Sequence, residues 1–117
     1  MATTSPWARV GGVLGASAVA LGAYGAHGFS RRADVEEWRK QSFDAAARYQ
    51  LVHAVALAAA PAACSKPNVV GGLLAVGTVV FSGGCFAAAL TGDRAMSKPA
   101  PYGGMMLIAG WLALAAL

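Results

Sequence analysis

The stretch Phe43-Asp-Ala-Ala-Ala-Arg-Tyr-Gln-Leu-Val-His53 carries the chain out of a charged segment and into an apolar one. On a helix, Tyr49 and His53 stand four residues apart and Gln50 and His53 three, so their side chains share one face. With Arg48 at its head, this is a polar stripe that enters a hydrophobic rod. Such a stripe has to be covered by neighbouring helices. It predicts an all-α chain, a four-helix transmembrane bundle packed around the stripe, with an interfacial extension where the second helix begins.

The composition supports this reading over a water-soluble one. Of the 117 residues, 57% are hydrophobic and 12% charged, against about 25% charged in an ordinary globular domain. Mean hydropathy is +0.55. The length suits a single integral membrane domain over residues 1–117. The apolar residues are largely Ala, Gly, Leu and Val, the types that let membrane helices approach closely. The net charge of +4 does not point to nucleic acid. A phosphate-binding surface gathers its basic residues on one folded face, whereas here they sit at the ends of apolar runs.

Uncharged runs extend over Val10–Phe29 (20 residues), Tyr49–Ser65 (17), Pro67–Gly92 (26) and Pro99–Leu117 (19). Each is near the ~20 residues that a helix needs to cross hydrocarbon about 30 Å thick, and in lipid a helix satisfies its own backbone. Helices are expected at 7–28, 34–62, 68–91 and 100–117. Pro6 and Trp7 suit a helix start at the interface; a cleaved secretory signal is the rival reading of this first run. Gly28 suits its end. Asp34, with Glu37 three residues on, resembles a capping box for helix two. Val35, Trp38, Ser42, Ala45 and Tyr49 then recur at helical spacing, with Glu36, Arg39 and Lys40 facing elsewhere. Asn68 is the expected N-cap of helix three, and Thr91-Gly92-Asp93 its end. Gly71, Gly72, Gly77, Gly83 and Gly84 make that helix a packing surface rather than a weak helix.

With four spans, the turns after helices one and three lie on one side. They hold Arg31, Arg32, Arg39, Lys40, Arg48, Arg94 and Lys98, while Arg9 and Lys66 lie on the other. The positive-inside rule then puts both termini on the outer side. Cys64 lies just before helix three, and Cys85 lies about 25 Å along it at ~1.5 Å per residue. A bridge needs Cα atoms within about 7 Å, so no disulfide is expected.

The topology draws His27, Arg48, Gln50, His53 and Asp93 toward one membrane face. Ionisable groups in spans are usually paired or functional. The plain expectation is a structural polar cluster: Arg48 with Asp93 or Asp44, His27 with a carboxylate or a helix-end carbonyl, His53 with Gln50 or nearby backbone. The sharper alternative makes His27 and His53 axial ligands of a haem b, although His53 lies about 7 Å deeper than Arg48. A proton or solute path along the same residues is a further alternative. Zinc would need three or four ligands, and neither cysteine is on that side. No phosphate loop, nucleophile elbow or paired-carboxylate site is present, so no catalytic residue, metal or cofactor is assigned.

Three passages carry a resemblance: Ala23-Tyr-Gly-Ala-His-Gly28; Phe43 to His53 with Ala54-Val-Ala-Leu57; and Ala89-Leu-Thr-Gly-Asp93 with Pro101-Tyr-Gly-Gly104 and Gly110-Trp-Leu-Ala-Leu114. In order and spacing the chain resembles the transmembrane protein 256 family and its bacterial relatives, a domain of unknown function. The segment from Phe29 to Arg39 is the most individual part. The resemblance implies a small four-helix inner-membrane protein, mitochondrial in eukaryotes, without an established enzymatic activity. Little soluble mass, several glycine-lined faces and no catalytic constellation then suggest an accessory subunit of an inner-membrane assembly such as a respiratory complex. Its expected partners are membrane lipid and other membrane-protein subunits.

Overall fold

The computed structural model describes residues 5–117, which form helices joined by short turns; no strand occurs among them. Helix α1 is Pro6–His27, α2 Glu37–Ala59, α3 Pro67–Thr91 and α4 Ala100–Ala116. Single 3-10 turns lie at Phe29–Arg31, Ala60–Ala63 and Arg94–Ser97. Three stretches are long and apolar enough to cross a membrane: Pro6–Arg31, Pro67–Thr91 and Arg94–Ala116. Helix α2 is not among them, because its first half carries Glu37, Arg39, Lys40, Asp44 and Arg48. By length and composition three of the four helices are plainly apolar enough to span, and α2 is the one that is half charged.

Helix α1 starts as expected: Pro6 is its first residue and the Ser5 side chain accepts from the Trp7 N–H at 3.2 Å. Two other caps differ from expectation. Asp34 does not start α2, which begins behind Glu36 with no side-chain cap. Its carboxylate takes two hydrogen bonds from Arg32 instead, at 2.8 and 3.2 Å. A charged, two-pronged donor is stronger than a neutral backbone N–H, and the bond from Arg32 holds the Asp34 carboxyl below its ordinary range. Asn68 does not cap α3 either: Lys66 is at the cap and Pro67 begins the helix. The Asn68 Oδ1 accepts from Trp7 Nε1 at 3.1 Å, tying the first turns of α1 and α3 together. Helix α3 stops at Gly92, whose φ of +76° suits glycine, and the Gly92 N–H returns to the Ala88 carbonyl.

The helices pack antiparallel and in chain order, α1 on α2, α2 on α3 and α3 on α4, with a lesser contact between α1 and α3. Helix α4 does not close against α1 to a comparable extent. The result is a thin, open layer, 50 × 29 × 16 Å. Two glycines set its spacing. A Cβ on Gly11 would lie 2.7 Å from the Ala54 carbonyl oxygen, and one on Gly103 would lie 2.4 Å from the Phe81 nitrogen. The backbones touch there, and no side chain fits between them.

Two apolar clusters are stacked along the layer. The lower one joins Leu57, Val70, Leu74, Ala75 and Leu107, with Trp7 packed against it. The upper one joins Phe29, Val35, Phe43 and Ala89. In it the Phe43 ring stacks on Phe29 and meets Phe86 edge-on, with both pairs of centroids 4.9 Å apart. No disulfide links Cys64 and Cys85.

The helix contacts predict a contrast between two glycines. Gly103→Ala forces backbone apart and should lower stability by about 1–3 kcal/mol. A Cβ on Gly72 meets nothing within 4 Å, so Gly72→Ala should leave stability unchanged or slightly raised. Thermal unfolding in detergent measures both, and equal melting of the two variants would contradict the close α3–α4 approach.

Candidate functional site

The inward face of α2 is Arg39, Phe43, Ala46, Gln50, His53 and Leu57, spaced by alternating steps of four and three residues. This is one residue round from the face expected from Val35, Trp38, Ser42, Ala45 and Tyr49, and it turns Arg39 inward. The Arg39 Nε donates to the Ala89 carbonyl at 2.8 Å and its Nη2 to the Leu90 carbonyl at 3.2 Å. These are carbonyls of the last turn of α3, where the helix dipole is negative and four carbonyls lack an intrahelical donor. The guanidinium also lies 5.9 Å over the Phe29 ring and 4.0 Å from Glu36. Arg39 therefore clamps the end of α3 to the start of α2.

Further down, the Ser42 hydroxyl donates to the Cys85 carbonyl at 3.1 Å, and the Ser82 hydroxyl donates back to the Ala46 carbonyl at 2.9 Å. On the other side, the Gln50 Nε2 donates to the Leu14 carbonyl at 2.9 Å and to the Ser17 hydroxyl at 2.7 Å. His53 is 4% exposed. Its Nδ1 lies 2.6 Å from the Tyr49 carbonyl, and its Nε2 lies 3.0 Å from Trp111 Nε1. An indole N–H only donates. So Nε2 is the acceptor and the ring proton sits on Nδ1, where it donates to Tyr49. No buried side-chain nitrogen or oxygen among the described residues lacks a partner.

The expected five-residue cluster is thus not formed, and each member goes its own way. His27 is exposed at the end of α1. Arg48 pairs with Asp44 at 3.3 Å on the outer face of α2. Asp93 accepts from the Ala95 N–H at 2.9 Å and caps the turn before α4. Only Gln50 and His53 are buried, and both are bonded to other groups. The reason is level. Gly25 faces Phe43 and Gly22 faces Ala47, so His27 is level with about Ser42, eleven residues and roughly 17 Å from His53. The ends of α3 and α2 meet where Arg39 reaches Ala89, which puts Asp93 near the first turn of α2, far from Arg48.

A haem b held by His27 and His53 does not fit this geometry. The two rings are too far apart along the layer, and both nitrogens of His53 are already engaged. Nor do three or more His, Cys, Asp or Glu side chains gather to hold a metal ion among the described residues. Sequence reasoning missed Arg39, Ser42, Ser82 and Trp111. The signal for Arg39 lay in its place four residues before Phe43, on the same alternating seam as Gln50 and His53. The partners of the serines and of Arg39 are backbone carbonyls, which every residue offers and no motif marks.

The His53–Trp111 bond predicts a cost for breaking it. Trp111→Phe should destabilise the protein by about 1–2 kcal/mol, since it leaves Nε2 without its donor. His53→Ala should also lower the melting temperature, and the double variant should cost clearly less than the sum. A double-mutant cycle by thermal unfolding checks this, and strictly additive costs would show that the two rings do not interact.

Residues 21–104 match the family model described as a protein of unknown function, DUF423. The chain is 36% identical over 104 residues to a UPF0382 membrane protein of Staphylococcus saprophyticus, which covers 83% of this chain and 82% of the relative. It is 31% identical over 103 residues to a UPF0382 membrane protein of Haemophilus influenzae, covering 83% and 80%. It is 33% identical over 100 residues to the UPF0382 inner membrane protein YgdD of Escherichia coli, covering 80% and 73%. No solved structure matches it. These relatives are bacterial, which does not favour the mitochondrial setting expected from the sequence. The chain belongs to the DUF423 family and is an integral membrane protein built from four helices.

Proposed function

We propose that the protein is a non-enzymatic accessory subunit of a larger inner-membrane assembly, such as a respiratory complex. One observation carries this reading. Val69, Gly72, Val76, Val79, Gly83 and Leu90 follow one another along α3 in alternating steps of three and four residues, or their sum. The four large side chains of this seam are 44–58% exposed. A Cβ on Gly72 or Gly83 would meet nothing within 4 Å. Glycine inside a helix costs about 0.5–1 kcal/mol relative to alanine, and at these two positions no packing within the chain offsets that cost. A valine seam interrupted by glycine is a surface on which another membrane helix can come close.

The remaining features agree. Helix α3 is 25 residues long, about 37 Å, so the seam runs the full depth of a bilayer. The inner-membrane relative in Escherichia coli supports a bacterial plasma membrane as the setting, in place of a mitochondrial one. The basic residues in the turns after α1 and α3 support both termini on the outer side. The buried Gln50 and His53 of α2, with Arg39 and Ser42, are engaged in holding helices together, which supports a structural role over solute handling through His27 and His53.

Native gels of mildly solubilised membranes test the proposal. The wild-type chain should co-migrate with a much larger species. The pair Gly72→Leu and Gly83→Leu should run as a free small protein with an unchanged melting temperature, because both side chains enter open space. A wild-type chain found only as a free small species, or a double variant still held in the large one, would overturn it.

A further inference from the structure

We propose that the trough between α2 and α4, floored by α3, binds one anionic phospholipid, with the phosphate at Arg94 and an acyl chain running past Trp111. Two hollows make up this trough. The upper, about 530 Å³, is lined by Trp38, Gln41, Ser42, Arg94 and Ser97 among others. The lower, about 390 Å³, is lined by Tyr49, Met105, Ile108 and Trp111 among others, with His53, whose ring nitrogens are both engaged. Phe81 and Pro101 line both, so the hollows adjoin along the trough. The polarity is graded along the way: amide, hydroxyl and guanidinium above, aromatic and aliphatic side chains below. Helix α4 begins at Ala100, opposite Gly84. The polar end therefore lies at the first turn of α4 and the apolar end deeper in the span.

The charge at the upper end selects the headgroup. No carboxylate lines either hollow. Glu36 and Asp93, the acids next to lining residues in sequence, do not themselves line the hollow: Glu36 accepts from Trp38 Nε1 at 2.8 Å and Asp93 from the Ala95 N–H. The ion pairs among the described residues involve Arg32, Arg39 and Arg48. Arg94 is in none of them, and its guanidinium lies 4.3 Å over the Trp38 ring. The Ser42 and Ser97 hydroxyls donate to the Cys85 and Arg94 carbonyls, so their hydrogens are committed. The donors left to face the hollow are the Arg94 guanidinium and the Gln41 amide, both suited to phosphodiester oxygens. No acid is there to receive a choline or ethanolamine nitrogen, so a net-anionic headgroup is favoured over a zwitterionic one. The apolar continuation favours a lipid over free phosphate, because only an alkyl chain matches the lower hollow.

Native mass spectrometry of the purified full chain in mild detergent tests this, with phosphatidylglycerol, phosphatidylcholine of the same acyl chains, and inorganic phosphate as competitor. One phosphatidylglycerol per chain should bind, about tenfold more tightly than phosphatidylcholine, and inorganic phosphate should not displace it. Arg94→Gln, on an exposed turn, should weaken phosphatidylglycerol about tenfold and phosphatidylcholine less, removing most of the preference, because the choline nitrogen already offsets the charge of its own phosphate. A Cβ on Gly104 would lie 3.8 Å from Phe81 Cδ2, so Gly104→Leu can fill the lower hollow without a backbone clash and should weaken both lipids. Thermal unfolding confirms that each variant is folded. Retained headgroup preference in Arg94→Gln, undiminished lipid binding in Gly104→Leu, or displacement by phosphate would each overturn the site.

Discussion

The architecture depends on one property of the peptide carbonyl: its oxygen has two lone pairs, and a helix uses only one. A polar side chain buried between helices can therefore bond to a carbonyl that is already in a helix without unmaking that helix. The second helix does this repeatedly. Ser42 reaches Cys85 and Gln50 reaches Leu14, while Ser82 reaches back to Ala46; Arg39 instead takes Ala89 and Leu90, carbonyls of the last turn of α3 that have no donor inside the helix. In a low-dielectric interior the alternative for each group is an unmet hydrogen bond, at a cost of about 1–3 kcal/mol. These bonds fix where α2 sits against α1 and α3 along their length, which smooth alanine and glycine surfaces alone would leave free to slide.

Carbonyls are within reach only because the backbones are close. The α1–α2 and α3–α4 approaches, seen at Gly11 against Ala54 and at Gly103 against Phe81, leave no room for even a methyl group. Small residues and buried polar residues thus work as a pair: the first allow contact and the second give it a register. This accounts for the contrast among the glycines. Gly11, Gly77 and Gly103 are tightly enclosed against another helix's backbone, whereas Gly72 and Gly83 are open on the outside of the layer, with nothing within 4 Å of a Cβ there.

The sequence made the helices legible because their signals are local. The runs free of charge, the prolines at positions 6, 67 and 101, and Gly92 after Thr91 all act within a turn of where they stand. The caps were less legible, since Asp34 and Asn68 each had two possible partners and a charged or indole donor prevailed over a backbone N–H. The candidate site was the least legible. His27, Arg48, Gln50, His53 and Asp93 were gathered by reasoning on which end of a helix each occupied, and that fixes depth only to within several turns. The face of α2 was misjudged by one residue, about 100° of rotation at 3.6 residues per turn, which was enough to hide Arg39. Two local pairings are as the sequence suggests, Arg48 with Asp44 and His53 with neighbouring backbone, although the second partner of His53, Trp111, lies 58 residues away.

The half-charged character of α2 follows from where the layer sits in a bilayer. Its long axis of 50 Å exceeds a hydrocarbon core of about 30 Å, so one end has to lie among headgroups or beyond. From Trp7 to Gly22, which faces Ala47, is fifteen residues, or about 22 Å of helix. Above that level come the exposed Asp44–Arg48 pair, the Arg39 clamp and the cluster of Phe29, Val35, Phe43 and Ala89. Helix α4 begins opposite Gly84, seven residues short of the end of α3. The upper end thus has its own small aromatic core, and the lower end has an aliphatic one against Trp7. Helix α2 belongs to both, and a sequence that has to serve both environments carries charge in its first half and none from Tyr49 onward.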